Sequence, residues 1–148
     1  MRHILIVDDQ EDLLSQYDFS FRSVKYNVTT AESGTDALAK VGSRRLINEA
    51  VDVILVDLQM SGMNGADLIA NLRERGIDIP IVAISRSGSK EMVIELMRRG
   101  CSDYIEKPVS FGGLYTRIEE AVKRYSLYNK TKRDDTLKEK ITTHKGGR

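Results

Sequence analysis

Val51-Asp52-Val53-Ile54-Leu55-Val56-Asp57, continuing through Leu58-Gln59-Met60-Ser61-Gly62-Met63-Asn64-Gly65, is the stretch that decides the fold. Residues 51 to 56 are almost wholly apolar and rich in β-branched side chains. That composition suits a strand buried on both faces, as in a parallel sheet. The strand stops at Asp57, and Ser61 to Gly65 reads as loop. Taken alone, Asp57 could be a turn residue, but a carboxylate placed directly after an apolar run needs a partner.

The same design recurs on either side. Ile4 to Val7 is an apolar run that ends at Asp8 and Asp9. Pro80 to Ile84 ends at Ser85, and Asp103 to Ile105 is a brief strand followed by Lys107-Pro108. Tyr26 to Thr30 is more polar and reads as a strand near an edge. Between these runs, apolar residues recur at helical spacing. They are Leu13, Leu14, Tyr17, Phe21 and Val24, then Ala37, Leu38 and Val41 behind a capping Ser33. Leu68, Ile69 and Leu72 follow, then Val93, Leu96 and Met97 up to Gly100. Phe111, Leu114, Ile118, Ala121, Tyr125 and Tyr128 line a final long helix. Five βα pairs in succession imply a parallel sheet with helices on both faces. Ligands of such sheets bind beyond the carboxyl ends of the strands, at the point where strand order reverses. The residues to examine are therefore Asp8, Asp9, Asp57, Ser85 and Lys107.

Composition narrows the classes. The chain has 148 residues, 41% hydrophobic and 30% charged, with a net charge of +1, as expected of one soluble domain. No bulk field draws it to nucleic acid or to a membrane, and the short apolar run before Asp8 is neither a signal peptide nor a span. The single Cys101 excludes an internal disulfide and a Cys-rich zinc site. It reads as a small buried filler in a cytoplasmic protein.

Carboxylates gathered at one point repel, and one stays protonated unless a cation joins them. A small cluster of hard oxygen ligands favours Mg²⁺, with Mn²⁺ an acceptable substitute. A phosphoryl group arriving there could be neutralised by Lys107 and the metal, with the Ser85 hydroxyl donating a hydrogen bond. Asp57 could then act as a nucleophile and form an acyl phosphate. The plainer readings are an Asp9 that merely favours a helix start by its charge, a capping Ser85 and a core Tyr104.

The segments ILIVDDQ, VDVILVDLQMSGMNG, IVAIS and SDYIEKPV, in this order and spacing, resemble the successive signatures of two-component response-regulator receiver domains over residues 3 to 128. The resemblance implies a flavodoxin-like (βα)5 three-layer sandwich with sheet order 2-1-3-4-5. It implies that Asp57 is the phospho-acceptor, that Asp9 is the direct Mg²⁺ ligand, and that Asp8 acts beside it through water. The Gln59 backbone carbonyl would complete the protein's share of the metal shell. Lys107, aimed by a cis bond to Pro108, would contact the phosphoryl group. Ser85 would move toward that group and Tyr104 would swing inward behind it. The protein is then a switch and not an enzyme in the ordinary sense. A sensor histidine kinase or phosphotransfer protein would be its donor. A downstream protein, or a second copy in a homodimer, would read the face of the fourth helix, fifth strand and fifth helix. The alternative is a receiver-like binding module that works without phosphorylation. An aspartate-nucleophile phosphatase is disfavoured, because such enzymes carry a second Asp two residues after the nucleophile and this chain has Gln59 there.

Several positions depart from the family pattern. Ser61 stands where Pro is usual, so the loop after Asp57 is expected to be looser. Arg86 stands where a small residue is usual, and either narrows access or stabilises the phosphoryl charge. Gly42 makes the second helix either long or broken, and Gly112 and Gly113 loosen the start of the last helix. Residues 1–128 form the expected domain. Residues 129–148 hold seven Lys or Arg against three Asp or Glu and read as a mobile or partly helical basic tail or linker. A stand-alone regulator is favoured over the receiver piece of a longer chain.

Overall fold

The computed structural model describes residues 1–46 and 50–146, with side chains left out of account at 44–46 and 142–146. Five strands alternate with five helices. The strands are β1 (His3–Val7), β2 (Asn27–Ala31), β3 (Val53–Asp57), β4 (Ile81–Ser85) and β5 (Asp103–Glu106). The helices are α1 (Glu11–Ser23), α2 (Gly34–Leu46), α3 (Gly65–Glu74), α4 (Lys90–Arg98) and α5 (Phe111–Gly146). All pairings are parallel and the sheet order is β2-β1-β3-β4-β5. The flavodoxin-like arrangement expected from the sequence is therefore the one observed.

The strand pattern explains how one sheet serves two cores. Side chains alternate faces along a strand. Leu5, Val7, Ile54, Val56, Ile81 and Ala83 meet α2, α3 and α4 on one face. Ile4, Ile6, Val53, Leu55, Val82 and Ile84 meet α1 and α5 on the other. β1, β3 and β4 are buried throughout because both faces are covered. β2 opens with an exposed residue and lies at an edge, as its polar sequence implied.

Local chemistry fixes the helix starts. The Ser33 hydroxyl accepts from the Asp36 N–H, as expected of a cap. Asn64 and Ser89 cap α3 and α4 in the same way. Ser110 accepts from the Gly113 N–H and so secures the turn that Gly112 and Gly113 would loosen. Gly42 does not break α2, which continues to Leu46.

The largest departure is α5. Its 36 residues span about 54 Å at ~1.5 Å per residue, twice the length of the apolar stripe from Phe111 to Tyr128. The segment from 129, expected to be mobile or partly helical, is helix through Gly146. Its described side chains are almost all exposed, so it lies beyond the core. Tyr125 is the last stripe residue tied to the domain: its hydroxyl donates to Asp78 Oδ1 at 3.0 Å. Tyr128 is 64% exposed.

Candidate functional site

The register of the ladders brings the polar residues together. Val7 pairs with Val56, so Asp8 and Asp57 leave adjacent strands side by side at the point where strand order reverses. Asp57 pairs with Ile84, which sets Ser85 one step beyond it. Ser85 pairs with Glu106, and the Lys107 N–H donates to the Ser85 carbonyl at 2.7 Å. The Lys107–Pro108 bond is cis, as expected. The Lys107 ammonium reaches Asp57 Oδ2 at 2.7 Å in a pair that is almost wholly buried on the carboxylate side. Among the described residues this is the ion pair that Asp57 makes. Its other oxygen, Oδ1, accepts from the Gln59 N–H at 2.7 Å.

Asp8 is 1% exposed. Its Oδ1 accepts from the Gln10 N–H at 2.9 Å, and its Oδ2 is buried with no hydrogen-bond partner. Burial pushes the Asp8 carboxyl up to about 6. The Gln10 N–H opposes the shift, the neighbouring Asp57 charge adds to it, and Lys107 opposes it. An orphaned buried carboxylate oxygen beside a second carboxylate fits a hard divalent cation.

Asp9 lies further out than its neighbour Asp8. It is exposed, and its Oδ2 accepts from both the N–H and the hydroxyl of Ser61, each at 2.9 Å. Those bonds hold its carboxyl below the usual range. The loop expected to be looser for want of Pro at 61 is instead tied to Asp9, because serine supplies two donors that proline lacks. Among the described residues, no three His, Cys, Asp or Glu side chains converge closely enough to hold an ion. The expected trio is thus gathered only in part: Asp8 and Asp57 adjoin, and Asp9 is turned to the loop.

Ser85 is 1% exposed and its hydroxyl donates to the Ser87 carbonyl at 3.0 Å. Tyr104 is packed against the α2–α4 core, with its phenolic oxygen buried and without a hydrogen-bond partner. Burial raises its pKa and the nearby Ser85 hydroxyl lowers it. Arg86 is exposed, and its backbone N–H donates to the Gln59 side-chain oxygen at 3.3 Å. With Lys107, Pro108 and Tyr17 it lines an open cavity of about 550 Å³ between α1 and the start of α5.

Two participants were not foreseen. Tyr17 feels the charges of Lys107, Asp8 and Asp57, and burial pushes its phenol up. It was legible only as one more residue of an apolar helix stripe. The Gln59 side chain and backbone N–H also join the site, through the Arg86 N–H and Asp57 Oδ1, and nothing in the sequence distinguished these groups.

A doubly wound sheet with paired acids at its switch point and a lysine pinned across them is the arrangement of a signalling receiver. The model of the response regulator receiver domain matches residues 4–119, and the chain belongs to that family, the receivers of two-component systems. Response regulator SaeR of Staphylococcus aureus is 30% identical over 129 residues, covering 87% of this chain and 54% of its own length. The chain therefore spans about half the length of the curated relatives it matches. Among solved structures, the receiver domain of Francisella response regulator 1452 superimposes with a TM-score of 0.72 at 30% identity, over 84% of this chain and 99% of that one. Vibrio cholerae chemotaxis protein CheY4 gives a TM-score of 0.75 at 26% identity, over 82% and 98%. No helix among the described residues is long and apolar enough to cross a membrane.

Proposed function

We propose that this receiver domain accepts a phosphoryl group on Asp57 from a sensor histidine kinase or phosphotransfer protein and thereby switches a partner-binding face. The observation that carries this reading is the buried Asp57–Lys107 pair beside the orphaned oxygen of Asp8. Asp57 is held by donors on both oxygens, so its carboxylate is oriented before any donor arrives. One of its oxygens attacks phosphorus, the bond from phosphorus to the donor nitrogen breaks, and the electron pair leaves with the imidazole. Lys107 then transfers its hydrogen bond from the carboxylate to the phosphoryl oxygens.

Receiver domains generally bind Mg²⁺ at their acidic pocket. Here Asp8, Asp9, Asp57 and the Gln59 carbonyl would hold it. The ion supplies the positive charge that lets a dianionic phosphoryl group approach clustered carboxylates. Ser85, released from the Ser87 carbonyl, donates to the phosphoryl group. Tyr104, already packed against the core, follows the space that Ser85 vacates. The loop after Ser85 leads directly into α4 and Tyr104 lies on β5, so the change is delivered to the face of α4, β5 and α5 for a downstream protein. The size of the shift is bounded by the difference in phosphoryl contacts between the two arrangements.

Intact mass after incubation with acetyl phosphate tests the assignment. A Mg²⁺-dependent gain of one phosphoryl group is expected, labile to hydroxylamine and abolished in Asp57→Ala. A folded wild type that gains nothing would leave the domain a binding module that works without phosphate.

A further inference from the structure

The acid expected to face the metal most directly is engaged elsewhere. Both donors of Ser61 converge on one oxygen of Asp9, at 2.9 Å each. Hydrogen bonds to an ionised carboxylate are the stronger kind. Gly62, directly after Ser61, has φ +76, a left-handed conformation that glycine takes without steric cost. At the base of the same loop, a Cβ on Gly65 would fall 2.7 Å from the Leu58 side chain and 3.0 Å from the Asp57 carbonyl oxygen. The loop is therefore turned sharply at Ser61 and packed tightly where it leaves Asp57. Asp9 is fastened to it from outside while Asp8, its neighbour in sequence, keeps an unsatisfied oxygen inside.

We infer that Ser61 is a positioning residue that holds Asp9 on the β3–α3 loop and sets the affinity of the acidic site for divalent cations. The inference rests on the Mg²⁺ reading of that site and adds a control to it. For Asp9 to join Asp8 and Asp57 around an ion, its carboxylate must give up or share the two Ser61 donors. Cation binding is thus coupled to release of the 61–62 turn, and the free site is kept divided. Proline at this position would offer neither donor, so serine brings to this chain a restraint that the usual residue cannot form.

Magnesium titrated into chelator-stripped full-length protein by calorimetry tests this, with ¹⁵N amide shifts of Ser61 and Gly62 recorded in parallel. Ser61→Ala removes the hydroxyl donor and is expected to tighten Mg²⁺ binding about three- to tenfold, the equilibrium equivalent of one ordinary hydrogen bond. Ser61→Pro removes both donors and is expected to tighten it further. Ser61→Thr keeps both and is expected to stay within about twofold of wild type. In wild type the Ser61 amide resonance should move as the ion binds. Unchanged or weaker binding in Ser61→Ala, with the ion still bound, would overturn the restraint and leave the metal site standing. Absence of heat and of shift changes in all four proteins would overturn the metal site and the restraint with it.

Discussion

At the amino ends of β4 and β5, the Arg73 guanidinium of α3 donates to the Gly100 carbonyl from two nitrogens, at 3.0 and 2.7 Å. A third nitrogen donates to the carbonyls of Ile77 and Ile79, each at 2.8 Å. At the carboxyl ends of β1 and β3, the Asp8 carboxylate has one oxygen satisfied and the other orphaned beside Asp57. The two groups are opposite in charge, in position and in treatment. Burial disfavours the charged form of both, lowering the arginine pKa and raising that of the aspartate. Only the arginine is compensated by partners that close its whole donor fork. A half-buried charge that is fully partnered ties the loops before β4 and β5 to α3. A buried charge left incomplete is where a ligand would complete it.

Removing the satisfied group should have the larger effect. Arg73→Ala leaves the Gly100, Ile77 and Ile79 carbonyls without their donor, and a loss of about 2–4 kcal/mol is expected in urea unfolding at an unchanged m-value. Phosphoryl uptake per folded molecule should persist, since Arg73 lies at the far end of the sheet. A variant as stable as wild type would show that water replaces the guanidinium freely, and the contrast between the two ends would fail.

Removing the orphaned group should act with the opposite sign. The folded pKa of Asp8, about 6, lies above its ordinary value of 3.8. Between those values the folded chain binds more protons than the unfolded one, so stability falls as pH rises through the window and stays lower above it. Asp8→Asn keeps an acceptor for the Gln10 N–H and carries no charge. In chelator-treated protein it should match wild type near pH 4 and exceed it by about 1–3 kcal/mol above pH 7. Saturating Mg²⁺ should narrow that gap, because the ion stabilises only the wild-type carboxylate. A variant less stable than wild type at pH 8 would mean that Asp8 is compensated after all. Thermal melts across pH 4 to 8 decide it.

What the sequence disclosed follows the same division. The alternating strands and helices and the gathering of Asp8, Asp57, Ser85 and Lys107 at strand ends were legible because periodicity and position at a strand end are properties of local sequence; the strand order came only with the family resemblance. The Arg73 fork was not, since it joins residues up to 27 positions apart through backbone carbonyls that carry no sequence signature. The Ser61–Asp9 contact spans 52 positions: locally, a missing proline signals lost rigidity, while the cross-link made by serine's two donors depends on a residue far away in sequence. The extent of α5 was missed for another reason. Beyond Tyr128 there is no apolar stripe, and helix carried by good helix formers without burial leaves no periodic signal.

The smallest effect concerns the rim of the site, where space rather than charge is at stake. A Cβ on Gly88 would fall 2.5 Å from the Tyr104 hydroxyl and 2.5 Å from the Met92 methyl, with no positive φ to strain it. Both obstacles are ends of side chains, so one of them has to yield. Methionine adapts cheaply, and the tyrosine can rotate outward and bring its buried hydroxyl to water. These gains offset the lost packing, and Gly88→Ala should change stability by less than about 1 kcal/mol. What should change is the tyrosine. Aromatic NMR signals of Tyr104 should shift toward the solvent-exposed range in the unphosphorylated variant, with the α4 amides following. If phosphorylation draws Tyr104 inward behind Ser85, the variant must expel the alanine methyl's clash to respond, and its phosphorylated and free spectra should converge around α4. A Tyr104 unmoved by Gly88→Ala would place the yielding entirely in Met92, and would separate the tyrosine's packing from the loop that carries Ser85 into α4.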